Sequence, residues 1–465
     1  MRITDWFPTS RQKSEELHTS TEQAQQPNDF CSTAFPGVWS SFVNSLADFG
    51  FAGQPCGTPE QAGVVQDLPT RAPPAERLIA VGDLHGDFKK TQRAFRLAGL
   101  TDEHNKWVGG NTVCVQVGDI LDRGDNEIHI CYFLERLQAQ ALKAGGKLYV
   151  LNGNHETMNI MGNTRYSSPG ASVEVARWQQ WQKFAEDLKS KCRACSSSSN
   201  SSKSRSSSSS DQETSTSERG GGGLDGRSFP ANPPPALLAQ QGSPGSQHFL
   251  RVWAFQPGSV LTRRFFANHP TVLQVGSTVF VHGGALPQHV SHGFEPINRE
   301  TRRWMLGEQA LSNGVAASLA GAAGGKGSGE APSFLRGASA IVWARDYSAE
   351  QEAHCECEKL KQVLESLPGA SRMVMGHTIQ GQGINAACEG RALRVDVGMS
   401  KGCGNRDVEV LEMRNDGQQV WRLREGREPT LLVSTPSEGC KEDKSSSSST
   451  SSFLRPLQRQ VPVSG

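Results

Sequence analysis

The sequence predicts an α/β fold: a central β-sandwich of mixed sheets flanked by helices. Three observations carry this expectation. Short apolar runs recur without polar alternation, as in strands covered on both faces. The first three runs are separated by stretches of helical length. The last part of the chain carries strand-like runs with no helix between them, which read as antiparallel.

Taken in order, "RLIAVGD" (77–83) is a strand followed by a helix over 87–99. "VCVQVGD" (113–119) is the second strand, with a helix over 126–143, and "KLYVLNGN" is the third. "STVFVHGG" (277–284) and "RMVMGHT" (372–378) repeat the scheme of a β-rich run ending in glycine and a polar residue. "ALRVDVG" and "DVEVLEMRNDGQQVWRLRE" supply the antiparallel strands. Residues 8–30, 196–246, 322–333 and 441–465 are polar, serine-rich or glycine-rich, and bury too little apolar area to offset the entropy of ordering. The expected organisation is an N-terminal extension (1–76), a main domain (77–425) interrupted by the insertion at 196–246, and a C-terminal tail (426–465).

The chain has 465 residues, and its 48 Lys and Arg balance 47 Asp and Glu. No basic stripe suggests nucleic acid or a membrane surface, and no apolar run approaches the roughly 18 residues of a spanning helix. The first residues lack an apolar signal core, and the acidic Asp5, Glu15, Glu16 and Glu22 argue against a transit peptide. Eleven cysteines form no disulfide framework, and Cys355 and Cys357 are expected to be free thiols. The cytoplasm is the expected address, with another compartment such as the mitochondrion as the alternative.

The strand ends carry the chemistry. Asp83 and His85 stand in "VGDLHGD", Asp119, Asp122 and Arg123 in "VGDILDRGD", Asn154 and His155 in "NGNHE", His282 in "VHGG" and His377 in "MGHT". Loops after the carboxyl ends of strands are where open α/β sheets place their sites. Asp83, Asp119 and Asn154 offer oxygen donors, and His85, His282 and His377 offer imidazoles. Such a mixed set, free of thiolate, suits Mn, Fe or Zn better than Ca. Six ligands are too many for one catalytic ion with an open position. They suit two ions if one carboxylate bridges.

"GDLHG", "GDILDRG", "GNHE", "HGG" and "GHT", in this order, resemble the motif set of the calcineurin-like metallophosphoesterases, in their phosphoprotein phosphatase branch. The similarity runs over about residues 77–425. The late Ser-Ala-Pro-Asn-Tyr loop of the eukaryotic Ser/Thr phosphatases is missing, and "RVDVGMS" (394–400) stands in its place. That ending, with "PAERLIAVGDLHGD" and the upstream "SSFVNSLADFGFAG", is similar to the Shewanella-like protein phosphatases, closest to their second, non-plastid group.

The resemblance implies one ion held by Asp83, His85 and Asp119, and a second held by Asp119, Asn154, His282 and His377. Two divalent cations, manganese first and iron or zinc as alternatives, would activate a shared water for direct attack on phosphorus. His155 is the candidate general acid and Asp122 the group that orients it. Arg123, Asn154 and Arg345 are the expected phosphate contacts, since a guanidinium fork matches phosphate oxygens. The expected partners are phosphoproteins carrying Ser/Thr or Tyr phosphomonoesters; no regulatory subunit is assigned. A hydrolase of small phosphoanhydrides such as dinucleoside polyphosphates is the competing enzyme. A silent phosphoprotein-binding scaffold is the competing non-enzyme, disfavoured by retention of all six ligands and His155.

Overall fold

The computed structural model describes residues 35–53, 68–201, 244–308 and 330–434. The segments 8–30 and 441–465, and most of 196–246 and 322–333, lie outside the described residues.

In chain order the first six strands are β1 (Arg71–Ala72), β2 (Arg77–Val81), β3 (Val113–Gln116), β4 (Lys147–Val150), β5 (Val272–Val275) and β6 (Thr278–Val281). The second six are β7 (Arg372–Met375), β8 (Asn385–Ala387), β9 (Ala392–Arg394), β10 (Glu409–Arg414), β11 (Gln419–Arg424) and β12 (Arg427–Ser434). They sort into two six-stranded sheets, ordered β12-β11-β10-β2-β3-β4 and β1-β5-β6-β7-β9-β8. Both sheets are mixed. β2, β3 and β4 run parallel, as do β6, β7 and β9.

The apolar runs become strands because both of their faces are covered. Ile79, Ala80 and Val81 of β2 and Val279, Phe280 and Val281 of β6 are fully buried in one apolar cluster that draws on both sheets. Each of these Ile, Val and Phe side chains contributes about 1.5–3 kcal/mol relative to exposure.

The first helices are α1 (Phe35–Ala52), α2 (Phe88–Leu97), α3 (Glu127–Lys143), α4 (Asn154–Ile160) and α5 (Pro169–Ser201). They are followed by α6 (Pro244–Phe255), α7 (Val260–Arg264), α8 (Pro287–His292), α9 (Phe294–Met305) and α10 (Cys357–Glu365). Asp87 caps α2 by accepting from the Lys90 amide at 3.1 Å, which starts the helix just past the first site loop. α4 begins where β4 ends and is buried along its whole length. α6 packs against both α4 and α5.

Three features differ from the sequence expectations. "ALRVDVG" does not enter as a wholly antiparallel strand: β9 pairs parallel with β7 and antiparallel only with the short β8. Lack of an intervening helix suggested otherwise, but the β8 hairpin arm supplies the crossover. The limits 77–425 miss two strands, because β1 pairs parallel with β5 and β12 pairs antiparallel with β11. Finally, Cys357 is not free. It forms a disulfide with Cys388, 31 residues away, which tertiary folding rather than sequence proximity brings within a Cα–Cα distance of 5.1 Å.

Two glycines allow the sheets' loops to touch. A Cβ on Gly82, after β2, would collide with the Val395 carbonyl after β9; a Cβ on Gly376, after β7, would collide with the Asp83 carboxylate. Only glycine permits so close a backbone approach.

Candidate metal centre

Six parallel-strand ends converge on one cavity of ≈ 110 Å³. Its lining includes Asp83 and His85 after β2, Asp119 and Arg123 after β3, and Asn154 and His155 after β4. The second sheet contributes His377 after β7 and Asp396 after β9, with Arg345 from a connecting loop. His282, after β6, lies just behind this lining, its Nε2 3.2 Å from Asp119 Oδ2. Asp122 stands one layer back, its Oδ2 2.6 Å from His155 Nδ1, so all the sequence-predicted site residues are at or beside the cavity.

Backbone conformation shows what the convergence requires. His85, Asp119, Asp122, Arg123 and His377 all have positive φ, at 42°, 57°, 69°, 69° and 66°. Non-glycine residues pay of order 1–3 kcal/mol each for such conformations, and they persist only where the surroundings dictate them. Glu156 is one of those constraints. Fully buried, it accepts from the amides of Asp119 (2.8 Å), Ile120 (2.8 Å), Leu121 (3.0 Å) and Gly153 (2.6 Å), tying the loop after β3 to the start of α4.

Hydrogen bonds fix the histidine tautomers. His85 Nδ1 lies 2.9 Å from the Leu121 carbonyl, and His282 Nδ1 lies 2.9 Å from the Val117 carbonyl. A carbonyl only accepts, so each Nδ1 must carry the proton, which leaves the Nε2 lone pair facing inward. His282 Nε2 then meets Asn154 Oδ1 at 2.9 Å and Asp119 Oδ2 at 3.2 Å. His85 Nε2 meets Asp119 Oδ2 at 3.6 Å and Asp83 Oδ2 at 3.9 Å. Lone pairs facing lone pairs in a buried site need a cation or a proton between them. His377 Nε2 is buried without a hydrogen-bond partner. Within this constellation His85, Asp119 and His155 form one group, and Asp119, His282 and His377 another, each with donor atoms close enough to share an ion. The donor set fits two divalent cations that have Asp119 in common.

The charges agree with that geometry. Burial works against charge on His282, but Asp119 and Asp83 lift it to about 10. Burial lowers His85 to about 4, and burial with the neighbouring His282 lowers His377 to about 2, so both rings are neutral donors. Burial, with Asp396 beside it, raises Asp83 well above the carboxylate range. Burial opposes charge on Asp119, yet His282 and His155 hold it well below that range.

His155 Nδ1 lies 2.6 Å from Asp122 Oδ2, and its Nε2 lies 3.8 Å from Asp119 Oδ2. Arg123 stacks over Tyr166, 5.1 Å from the ring centroid, at the cavity wall. Arg345 donates to the His377 carbonyl at 3.2 Å and the Thr378 hydroxyl at 2.7 Å. It makes no ion pair among the described residues, which leaves its charge directed at the cavity's carboxylates.

Sequence reasoning missed Asp396, Tyr166 and Trp343, all of which line the cavity. Asp396 is buried, hydrogen-bonds to Asp83, and accepts from the Gly398 amide at 2.8 Å. Its signal was available: "VDVG" is one more Asp near glycine just after a strand-like run. Tyr166 and Trp343 carried no comparable signal.

Residues 76–205 match the family described as calcineurin-like phosphoesterase. Over 395 residues, 84% of this chain and 88% of the relative, the sequence is 38% identical to Shewanella-like protein phosphatase 2 of Arabidopsis thaliana. Shewanella-like protein phosphatase 1 of Plasmodium berghei is 38% identical over 93 residues, 20% of this chain and 26% of that one. Among solved structures, the cold-active protein-tyrosine phosphatase of a psychrophilic Shewanella species is 18% identical with a TM-score of 0.49, over 81% of this chain and 89% of its own. With the strand-end motifs and the long match to the plant relative, the chain belongs to the Shewanella-like protein phosphatases, within the calcineurin-like phosphoesterases.

Proposed function

We propose that this protein phosphatase hydrolyses phosphomonoesters on protein side chains with two divalent cations, manganese being the metal the donor set suits best. One ion is assigned to Asp83, His85 and Asp119, the other to Asp119, Asn154, His282 and His377. The observation that carries this reading is the inward-facing Nε2 of His282, whose nearest neighbours are two oxygens, Asn154 Oδ1 and Asp119 Oδ2. The absence of thiolate from the set favours manganese, with iron or zinc as alternatives.

Bound ions would activate a water and neutralise phosphoryl charge. The protein's own groups do the remaining work. Arg123, Arg345 and Asn154 all line the cavity and are assigned to the phosphate oxygens. His155 is assigned to give the proton on Nε2 to the departing side-chain oxygen. Its Nδ1 is engaged by Asp122, which keeps Nε2 turned into the cavity. Such a general acid contributes about 10²–10⁴-fold.

The test is quantitative metal analysis of the purified chain together with kinetics on phosphotyrosyl and phosphoseryl peptides, with a dinucleoside polyphosphate as competitor. Two metal equivalents and preferential turnover of either peptide support the reading. Preferential hydrolysis of the dinucleotide would overturn it in favour of the phosphoanhydride alternative.

Among the described residues no helix is long and apolar enough to cross a membrane. The Cys357–Cys388 disulfide favours a compartment that tolerates such bonds over the cytoplasm. Of the two addresses raised by the sequence, we favour the non-cytoplasmic one; finding these two cysteines reduced in the protein isolated under thiol-trapping conditions would reverse that choice.

A further inference from the structure

Behind the His155–Asp122 pair lies a buried ion network whose central cation stands outside every strand-end motif. Its centre is Arg251 on α6, a side chain only 1% exposed and 129 residues distant from Asp122 in sequence. Its Nη2 donates to Asp122 Oδ1 at 3.0 Å and to Glu127 Oε1 at 2.9 Å. Its Nη1 donates to Glu127 Oε2 at 2.6 Å, and its Nε donates to Asn159 Oδ1 at 2.8 Å. Phe255, one turn further along the same helix, covers the guanidinium face with its ring centroid 5.0 Å away.

The partners of Arg251 are themselves turned toward His155. Asn159 donates through Nδ2 to Asp122 Oδ2 at 2.9 Å, and Glu127 accepts the backbone amide of Asp122. Every oxygen of the Asp122 carboxylate is thus committed: Oδ1 to Arg251, Oδ2 to Asn159 and His155. The planar fork is bidentate on Glu127 and reaches Asp122 through one further bond to Oδ1, while its Nε holds Asn159 against Oδ2; the Asp122 carboxylate is thus fixed at both oxygens, directly and through Asn159, in a way a point-charge ammonium cannot reproduce. Two carboxylates and one guanidinium in a dry interior need geometry of this quality, because an unmatched buried charge is strongly destabilising.

We propose that Arg251 is a positioning residue for leaving-group protonation: by locking the plane of Asp122 it holds the His155 ring with Nε2 facing the phosphate cavity. This rests on the assignment of His155 as general acid. In the step concerned, an oxygen from water bonds to phosphorus as the ester P–O bond breaks. The electron pair of that bond goes to the side-chain oxygen, which takes its proton from His155 Nε2. Arg251 touches none of the reacting atoms. It acts through Asp122 and His155 alone.

The test uses the full chain loaded with manganese and two aryl phosphates: p-nitrophenyl phosphate, whose leaving group needs little protonation, and phenyl phosphate, whose leaving group needs it. Arg251→Lys keeps the charge but removes the fork. It is expected to lower kcat on phenyl phosphate by about tenfold or more while changing p-nitrophenyl phosphate turnover far less, with KM and metal content as in the parent. In a His155→Asn background the same substitution should cause no further loss, because the group it positions is gone. If Arg251→Lys does not accumulate as folded protein, the pair Arg251→Met/Glu127→Gln, which removes both charges together, is read in the same way.

Equal losses on the two esters, or an undiminished loss in the His155→Asn background, would overturn the proposal while leaving the phosphatase reading intact. A parent enzyme that binds metal yet hydrolyses neither ester would overturn both.

Discussion

The imidazole of His155, in the first turn of α4, and the carboxylate of Asp122, in the loop after β3, meet at 2.6 Å in a buried hydrogen bond, Nδ1 to Oδ2. Both groups stand beside the cluster of metal-donor side chains without belonging to the six assigned to ions. His155→Asn should therefore lower kcat on phosphopeptides by about 10²-fold or more while both metals remain bound. Parallel kinetics and metal analysis check this. Loss of metal in that variant would mean His155 is a ligand.

Asp119 stands at the overlap of the two donor groups. Its Oδ1 also accepts the His155 amide at 2.9 Å, so the same carboxylate orients the start of α4. Asp119→Asn removes the charge shared by both positions and should reduce metal loading at each. Elemental analysis of the variant decides the point, and two full equivalents would count against a bridge.

Metal uptake should be linked to protons. The metal-free His282 ring, lifted to about 10 from an ordinary 6.5, is protonated at neutral pH. Because its folded value is raised, the stability it contributes is complete below about 6.5 and is lost as pH rises through about 10. An ion needs the neutral ring, so binding must expel that proton and should tighten as pH increases toward 10. Calorimetric titration of manganese at pH 8 in buffers of different ionisation enthalpy should report release of at least one proton. Identical heats in all buffers would exclude this linkage.

The Cys357–Cys388 bond closes a loop of 31 residues that joins the start of α10 to the turn after β8. In the chain-entropy picture such a loop stabilises the fold by about 3–4 kcal/mol. The Cys357→Ser/Cys388→Ser variant should lose stability of that order in denaturant unfolding. Both cysteines lie outside the cavity lining, so metal stoichiometry should be unchanged.

What could be read from the sequence was local. Asp83, His85, Asp119, Asn154, His282 and His377 each lie within four residues of the end of a strand, so the strand that forms also delivers the ligand, whatever the sheet order. Asp396 shares that placement but follows β9, which the sequence suggested was antiparallel; only because β9 is parallel to β7 does its carboxyl end point to the same edge. Arg251 was not legible. It lies beyond the insertion, in a helix whose pattern says only that one side is buried, and its partners Asp122 and Glu127 are 129 and 124 residues earlier. Long-range pairing also hid the disulfide and the outer strands β1 and β12. Periodicity encodes what a segment becomes, and leaves open what it is packed against.

The central claim is a pair of cations flanking Asp119, and anomalous diffraction from crystals grown with manganese measures it most directly. The account predicts two peaks about 3.5–4 Å apart, one bordered by Asp83 and His85, the other by Asn154, His282 and His377, with Asp119 between them. A single peak, or two peaks that do not share Asp119, would contradict it.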